Sequence, residues 1–112
     1  MPECIFCKIA AGEIKADVVY EDDYVLAFKD INPQAPIHVL IIPKKHIERA
    51  DDIPVEELDV LKKMFAAVPK VKEKLDVDDV RLVFNCGPKA GQTVYHMHLH
   101  ILGGRVFGWP PG

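Results

Sequence analysis

Between Pro36 and Pro43 the chain runs Ile37-His38-Val39-Leu40-Ile41-Ile42, six residues that are apolar on both faces of an extended segment apart from His38. Such a run, bracketed by prolines, reads as a central strand covered by further structure on both sides. A lone imidazole inside that strand needs a hydrogen-bond partner, because an unpaired polar group in an apolar layer is costly. The 112 residues, 49% of them hydrophobic, suffice for one compact domain with a core and are too few for two. Residues 1–112 are therefore expected to form a single domain.

Other elements assemble around that strand. Ile5 to Ala11 suits a short helix closed by Gly12, and Val18–Tyr20 with Tyr24–Phe28 suit a hairpin around Glu21-Asp22-Asp23. From Pro54 to Leu75, Leu58, Leu61, Met64, Phe65, Val68, Val71 and Leu75 recur at helical spacing, with Pro69 expected to kink or break the helix. Val80–Asn85 reads as a strand, Cys86–Gln92 as a loop, and His98–Leu102 as a last strand stopped by Gly103-Gly104. The expected class is α+β, with mostly antiparallel strands, one long helix and a short N-terminal helix.

A net charge of −3 with scattered lysines lacks the positive face that a nucleic-acid polymer requires. The opening Met1-Pro2-Glu3-Cys4 has no basic leader, and the longest aliphatic run, Val39–Ile42, is too short to span a bilayer. A cytoplasmic protein without membrane attachment is expected. Three cysteines argue against a disulfide framework and leave metal or thiol chemistry open.

Three of the five histidines fall at alternate positions in Val94-Tyr95-His96-Met97-His98-Leu99-His100-Ile101-Leu102. In an extended segment His96, His98 and His100 share one face, while Met97, Leu99 and Ile101 point to the other, toward the core. The imidazole row lies next to a glycine-containing loop whose N–H groups could meet an anion. Two uses suit it: metal binding, and direct attack on phosphorus by a neutral ring. The bland alternative is a solvated strand face. Cys4-Ile5-Phe6-Cys7 supplies half of a tetrahedral metal set, with a redox pair or two inert thiols as alternatives.

The run His96-Met97-His98-Leu99-His100-Ile101-Leu102 matches the His-φ-His-φ-His-φ-φ signature, with φ apolar, and so resembles the histidine triad (HIT) superfamily. "YEDDYVLAFKDINPQAPIHVLIIPKKHI" is similar to that family's nucleotide-binding half, and "VFNCGPKAGQTVYHMHLHILGGRVFGWPPG" to its Hint branch. The resemblance spans nearly the whole chain and implies the HIT fold. It also implies hydrolysis of adenosine or other purine nucleoside 5'-phosphoramidates to AMP through a nucleotidyl-histidine.

Carried over by position, the resemblance makes His98 the nucleophile, sets His100 beside the α-phosphate, and places His38 in the histidine network behind the triad. It gives phosphate and leaving-group contacts to Asn85, Gly91, Gln92 and Thr93, and ribose and base contacts to Asp30, Phe28 and Ile31. Thr93 departs from the family's usual serine. Phe28 and Ile31 could equally be plain core. The resemblance further implies a structural zinc on Cys4, Cys7, His46 and His96; without zinc, His96 would return to the catalytic network. Cys86 has no evident partner and is expected to pack. The resemblance implies a homodimer, with Trp109 of the tail influencing substrate choice at the partner's site. Two alternative functions stand beside it: dinucleoside polyphosphate hydrolysis, and a zinc-stabilised nucleotide-binding interaction module with little turnover.

Overall fold

The computed structural model describes residues 4–112; Met1, Pro2 and Glu3, which carry part of the expectation of no basic leader, lie outside them. Five strands form one antiparallel sheet: β1 (Val18–Glu21), β2 (Val25–Lys29), β3 (Ile37–Pro43), β4 (Val80–Phe84) and β5 (Leu99–Gly103), in the order β1-β2-β3-β5-β4. The apolar run between the prolines is the middle strand. β3 pairs with β2 through Leu26↔Ile42 and Phe28↔Leu40, and with β5 through Leu40↔His100 and His38↔Leu102.

Each face of the sheet is covered by one helix. The long helix α2 (Asp59–Leu75) brings Met64, Ala67, Val68 and Val71 against Val25, Ala27, Val39, Ile41, Leu99 and Ile101. The short helix α1 (Ile5–Ala10) covers part of the opposite face, where Phe6 packs with Leu26, Phe28, Leu40 and Ile42. Period-two alternation in β2 and β3 thus feeds two separate apolar layers, while β5 adds Leu99 and Ile101 to the α2-side layer alone. The part of the α1-side face that α1 leaves open carries His38 and His100.

Several sequence expectations shift at their edges. The α-helix starts at Asp59 rather than Pro54; Val55–Glu57 form a 3-10 turn before it. Pro69 neither breaks nor ends α2, which runs on to Leu75. Its missing N–H would have bonded the Phe65 carbonyl, and both residues are exposed, so water can take that carbonyl at little cost. The helix stops at Asp76, which is left-handed at φ 52°. The last strand begins at Leu99, so of the triad only His100 lies in a strand; His96 and His98 precede it in irregular backbone. No helix among the described residues is long and apolar enough to cross a membrane.

Candidate active site

The alternation expected of the triad survives in that irregular stretch. Met97, Leu99 and Ile101 are buried on the α2 side, while the rings of His98 and His100 lie 4.9 Å apart on the other. Phe6 from α1 meets His98 edge-on at 5.1 Å and 88°, and meets His96 at 6.0 Å, so the short helix walls the imidazole row.

Backbone partners set the tautomers of His98 and His38, and His38 in turn sets that of His100. The His96 carbonyl accepts from His98 Nδ1 at 2.9 Å, so Nδ1 of His98 carries the hydrogen and its Nε2 keeps a lone pair. His98 is 8% exposed, and burial holds it below the ordinary histidine pKa, which keeps that lone pair available at neutral pH. Gln34 N–H donates to His38 Nδ1 at 3.0 Å, so the hydrogen of neutral His38 sits on Nε2. That Nε2–H donates to His100 Nδ1 at 2.9 Å, which puts the hydrogen of His100 on its own Nε2. His100 Nε2 is buried and has no partner among the described residues: a donor left for a ligand. Burial, with the neighbouring His98 and His38, lowers the pKa of His100 to about 4.

Asp30 flanks this network. Its Oδ2 lies 3.5 Å from His38 Nε2, and its Oδ1 accepts from Asn32 N–H at 2.8 Å. Phe28 is core, 5% exposed and edge-on to Phe6 at 5.6 Å, whereas Ile31 is fully exposed on the turn after β2. For Ile31 the plain-core reading is therefore excluded. A cleft of about 270 Å³ joins His38 and His100 to Asn85, Gln34, Arg81 and Arg105.

Gln92 turns away from that cleft. It is 3% exposed, accepts from Gly87 N–H at 2.9 Å, and donates to the carbonyls of Glu48 at 2.7 Å and Val94 at 3.1 Å. Its amide is spent on building the loop, so the side-chain phosphate contact expected of it is not available in this geometry. Gly91 sits at φ 98°, in the left-handed region, and Thr93 is exposed beyond it. Cys86 is half-buried.

Beside the His98 and His100 rings the sequence-predicted metal residues converge. One donor atom each from Cys4, Cys7, His46 and His96 falls within 4.8 Å of all the others. His96 Nδ1 lies 3.3 Å from Cys4 Sγ, 3.5 Å from Cys7 Sγ and 3.2 Å from His46 Nδ1, and Cys7 Sγ lies 3.3 Å from His46 Nδ1. Tetrahedral zinc with ordinary bond lengths would separate nitrogen–nitrogen and nitrogen–sulfur donor pairs by about 3.3–3.6 Å, so these four pairs fit that ion with little movement. His96 Nε2 donates to the Pro43 carbonyl at 2.7 Å, which frees Nδ1 as a ligand and supplies the outer hydrogen bond that ligating imidazoles use. Burial raises the Cys7 thiol, so a thiolate there calls for a cation. Asp30, His38 and His100 form a second cluster of possible ligands, but it does not suit a metal. Gln34 N–H occupies one lone pair of His38, and ligation through Nε2 would require an imidazolate.

Sequence reasoning does not reach the backbone groups that set these tautomers: the Gln34 N–H and the carbonyls of Pro43 and His96. Peptide groups carry no residue-type signature, so nothing in the letters marks them. It also misses Arg105 and Arg81 at the cleft, although the Gly-Gly-Arg run after the last strand is visible.

The sequence profile of the HIT domain matches residues 11–107. The purine nucleoside phosphoramidase of Escherichia coli K12 is 45% identical over 108 residues, covering 95% of this chain and 91% of that one. A 14 kDa zinc-binding protein of Zea mays is 50% identical over 113 residues, covering 96% and 87%. Among solved structures, a HIT family hydrolase from Legionella pneumophila superposes with a TM-score of 0.93 at 50% identity, covering 98% and 100%. With the imidazole network on the same fold as these relatives, the chain belongs to the HIT family.

Proposed function

We propose that this protein hydrolyses purine nucleoside 5'-phosphoramidates, releasing AMP from adenosine 5'-phosphoramidate through a nucleotidyl intermediate on His98. The observation that carries the reading is the pair of opposite tautomers: a lone pair on His98 Nε2 next to a hydrogen on His100 Nε2. His98 Nε2 attacks the α-phosphorus, the P–N bond breaks, and the amine leaves with a proton taken from solvent, which the attacking water gives back in the second half of the reaction. The positive charge created on the His98 ring is met by the His96 carbonyl at its Nδ1–H. His100 Nε2–H is placed to donate to a non-bridging phosphate oxygen, where charge builds in the transition state. Water then displaces the histidine from phosphorus, giving AMP and neutral His98. Asp30 is assigned to the ribose hydroxyls, with Ile31 and the edge of Phe28 toward the base, and Asn85, Gly91 and Thr93 are assigned to the phosphate.

The similarity to the E. coli phosphoramidase favours P–N substrates over dinucleoside polyphosphates. Cys4, Cys7, His46 and His96 would hold zinc, which when bound crosslinks the α1 terminus to the loop before β5. The reduced thiols of that set suit the cytoplasm. A second copy of the chain is assigned to the open edge of β4, where Leu82 and Phe65 are exposed, with the 84%-exposed Trp109 reaching toward the partner's site.

The test is to incubate the protein with adenosine 5'-phosphoramidate and a chelator, alongside His98→Ala. AMP release by the wild type that vanishes in the variant is expected. Equal release by both would remove His98 from the nucleophile's role, and AMP binding without release would favour the interaction-module reading.

A further inference from the structure

The hydrogen that His100 offers to the cleft depends on Gln34 N–H, two imidazoles away. Gln34 lies in the exposed loop between β2 and β3, where no strand ladder holds the backbone. Were its N–H to move off His38 Nδ1, the His38 hydrogen could shift to that nitrogen, and the hydrogen of His100 could shift to Nδ1. The donor at His100 Nε2 would then become an acceptor facing an anionic phosphate. Something has to fix Gln34.

The segment after β5 does so. Arg105 Nη2 donates to the Gln34 carbonyl at 3.3 Å, while its guanidinium stacks over the Phe107 ring at 4.1 Å. Arg81 on β4 covers the same ring at 5.1 Å and donates to the Gly108 carbonyl at 2.8 Å. One residue before Arg105, Gly104 lies so close to the loop that a Cβ there would sit 2.8 Å from Pro36 Cβ. The loop is thus backed at Pro36 by backbone and at Gln34 by a charged hydrogen bond. A planar guanidinium can stack on an aromatic ring and still donate in its plane; an ammonium keeps the donation and loses most of the stacking.

We propose that Arg105 is a positioning residue for the catalytic imidazoles: by holding Gln34 it fixes the hydrogens of His38 and His100 on their Nε2 atoms. The catalytic consequence rests on the phosphoramidase reading, but the tautomer assignment does not. Arg105 touches neither reacting atoms nor metal ligands, and its side chain is exposed, so its removal is compatible with folding.

Ring-nitrogen 15N NMR of wild type, Arg105→Ala and Arg105→Lys separates a positioning role from a merely structural one, since protonated and lone-pair nitrogens differ strongly in shift. In the wild type His38 and His100 should both show hydrogen on Nε2 alone. In Arg105→Ala they should show mixed tautomers while His98 keeps its hydrogen on Nδ1, and Arg105→Lys should restore part of the wild-type pattern. With adenosine 5'-phosphoramidate, Arg105→Ala should lower kcat by about tenfold to a hundredfold with KM changed far less, a hundredfold being the cost of a catalytic group misplaced by about 1 Å from a distance. Wild-type tautomers in Arg105→Ala would overturn the proposal whatever the activity. Mixed tautomers in a protein inactive toward phosphoramidates would uphold the positioning role and defeat only the assigned reaction.

Discussion

His96 and His98 are joined by a 2.9 Å hydrogen bond from the His98 ring to the His96 carbonyl, while the His96 ring faces the two cysteines. One residue therefore belongs to both clusters, giving its side chain to the proposed metal set and its backbone to the proposed nucleophile. Cys4→Ser should abolish stoichiometric zinc binding and lower the thermal midpoint, by about 4–5 °C for each kcal/mol lost in a chain of this size. It should leave substantial turnover, because the nucleophile's partner is a peptide group. Metal analysis, calorimetry and AMP release on one preparation check this; turnover abolished as completely as in His98→Ala would contradict it.

Asp30→Asn keeps the Asx bond to Asn32 and the shape of the loop while removing the charge near His38. If the carboxylate accepts from ribose hydroxyls, AMP affinity should fall by about tenfold to a hundredfold, the range for hydrogen bonds to a charged group. Titration calorimetry with AMP measures it. Unchanged affinity would take Asp30 out of the nucleotide site.

Acid should unfold the protein through its buried imidazoles. The folded-state pKa of His100, about 4, lies below the value of about 6.5 expected for an unfolded chain. Above pH 6.5 the ring is neutral in both states and contributes no slope. Between about 6.5 and 4 only the unfolded chain takes the proton, so stability is lost as pH falls through that window. His38 is lowered in the same direction by burial. Urea midpoints from pH 7 to 4.5 should decline, and His100→Gln should flatten the decline.

Gln92→Ala would strip hydrogen bonds from Gly87 N–H and from the carbonyls of Glu48 and Val94 in one step. A cost of about 1–3 kcal/mol is expected, since the buried Gly87 N–H would be left unpaired while the part-buried carbonyls of Glu48 and Val94 can turn to water. The loss should appear in the denaturation midpoint. A neutral effect on stability with a large rise in KM would instead restore the direct phosphate role expected from sequence.

The fold is legible in the letters because its signals are periodic. The doubly apolar Ile37–Ile42 run becomes the central strand, and the leucine, methionine and valine spacing of α2 becomes its apolar face. Boundaries are less legible. Pro54 is a plausible first-turn residue, yet the chain makes a 3-10 turn before Asp59. Pro69 is tolerated because the orphaned carbonyl is on the solvent side, a fact of position rather than of letters. At the site, residue types announce the Cys4, Cys7, His46 and His96 cluster and the triad, because few residue types combine at such spacings. Gln92 misleads because its letter shows what an amide can bind, not that three backbone groups already claim it. The tautomers are invisible, since peptide groups set them.

The covalent bond proposed between His98 and the nucleotide is the step on which the proposed reaction depends. Protein mixed with adenosine 5'-phosphoramidate, denatured within milliseconds under alkaline conditions that preserve phosphoramidate bonds, can be digested and its peptides weighed. An adenylyl group is expected on the peptide containing His98, appearing before free AMP accumulates and absent in His98→Ala. AMP formed at full rate with no adduct, or an adduct carried by another residue, would refute the covalent mechanism.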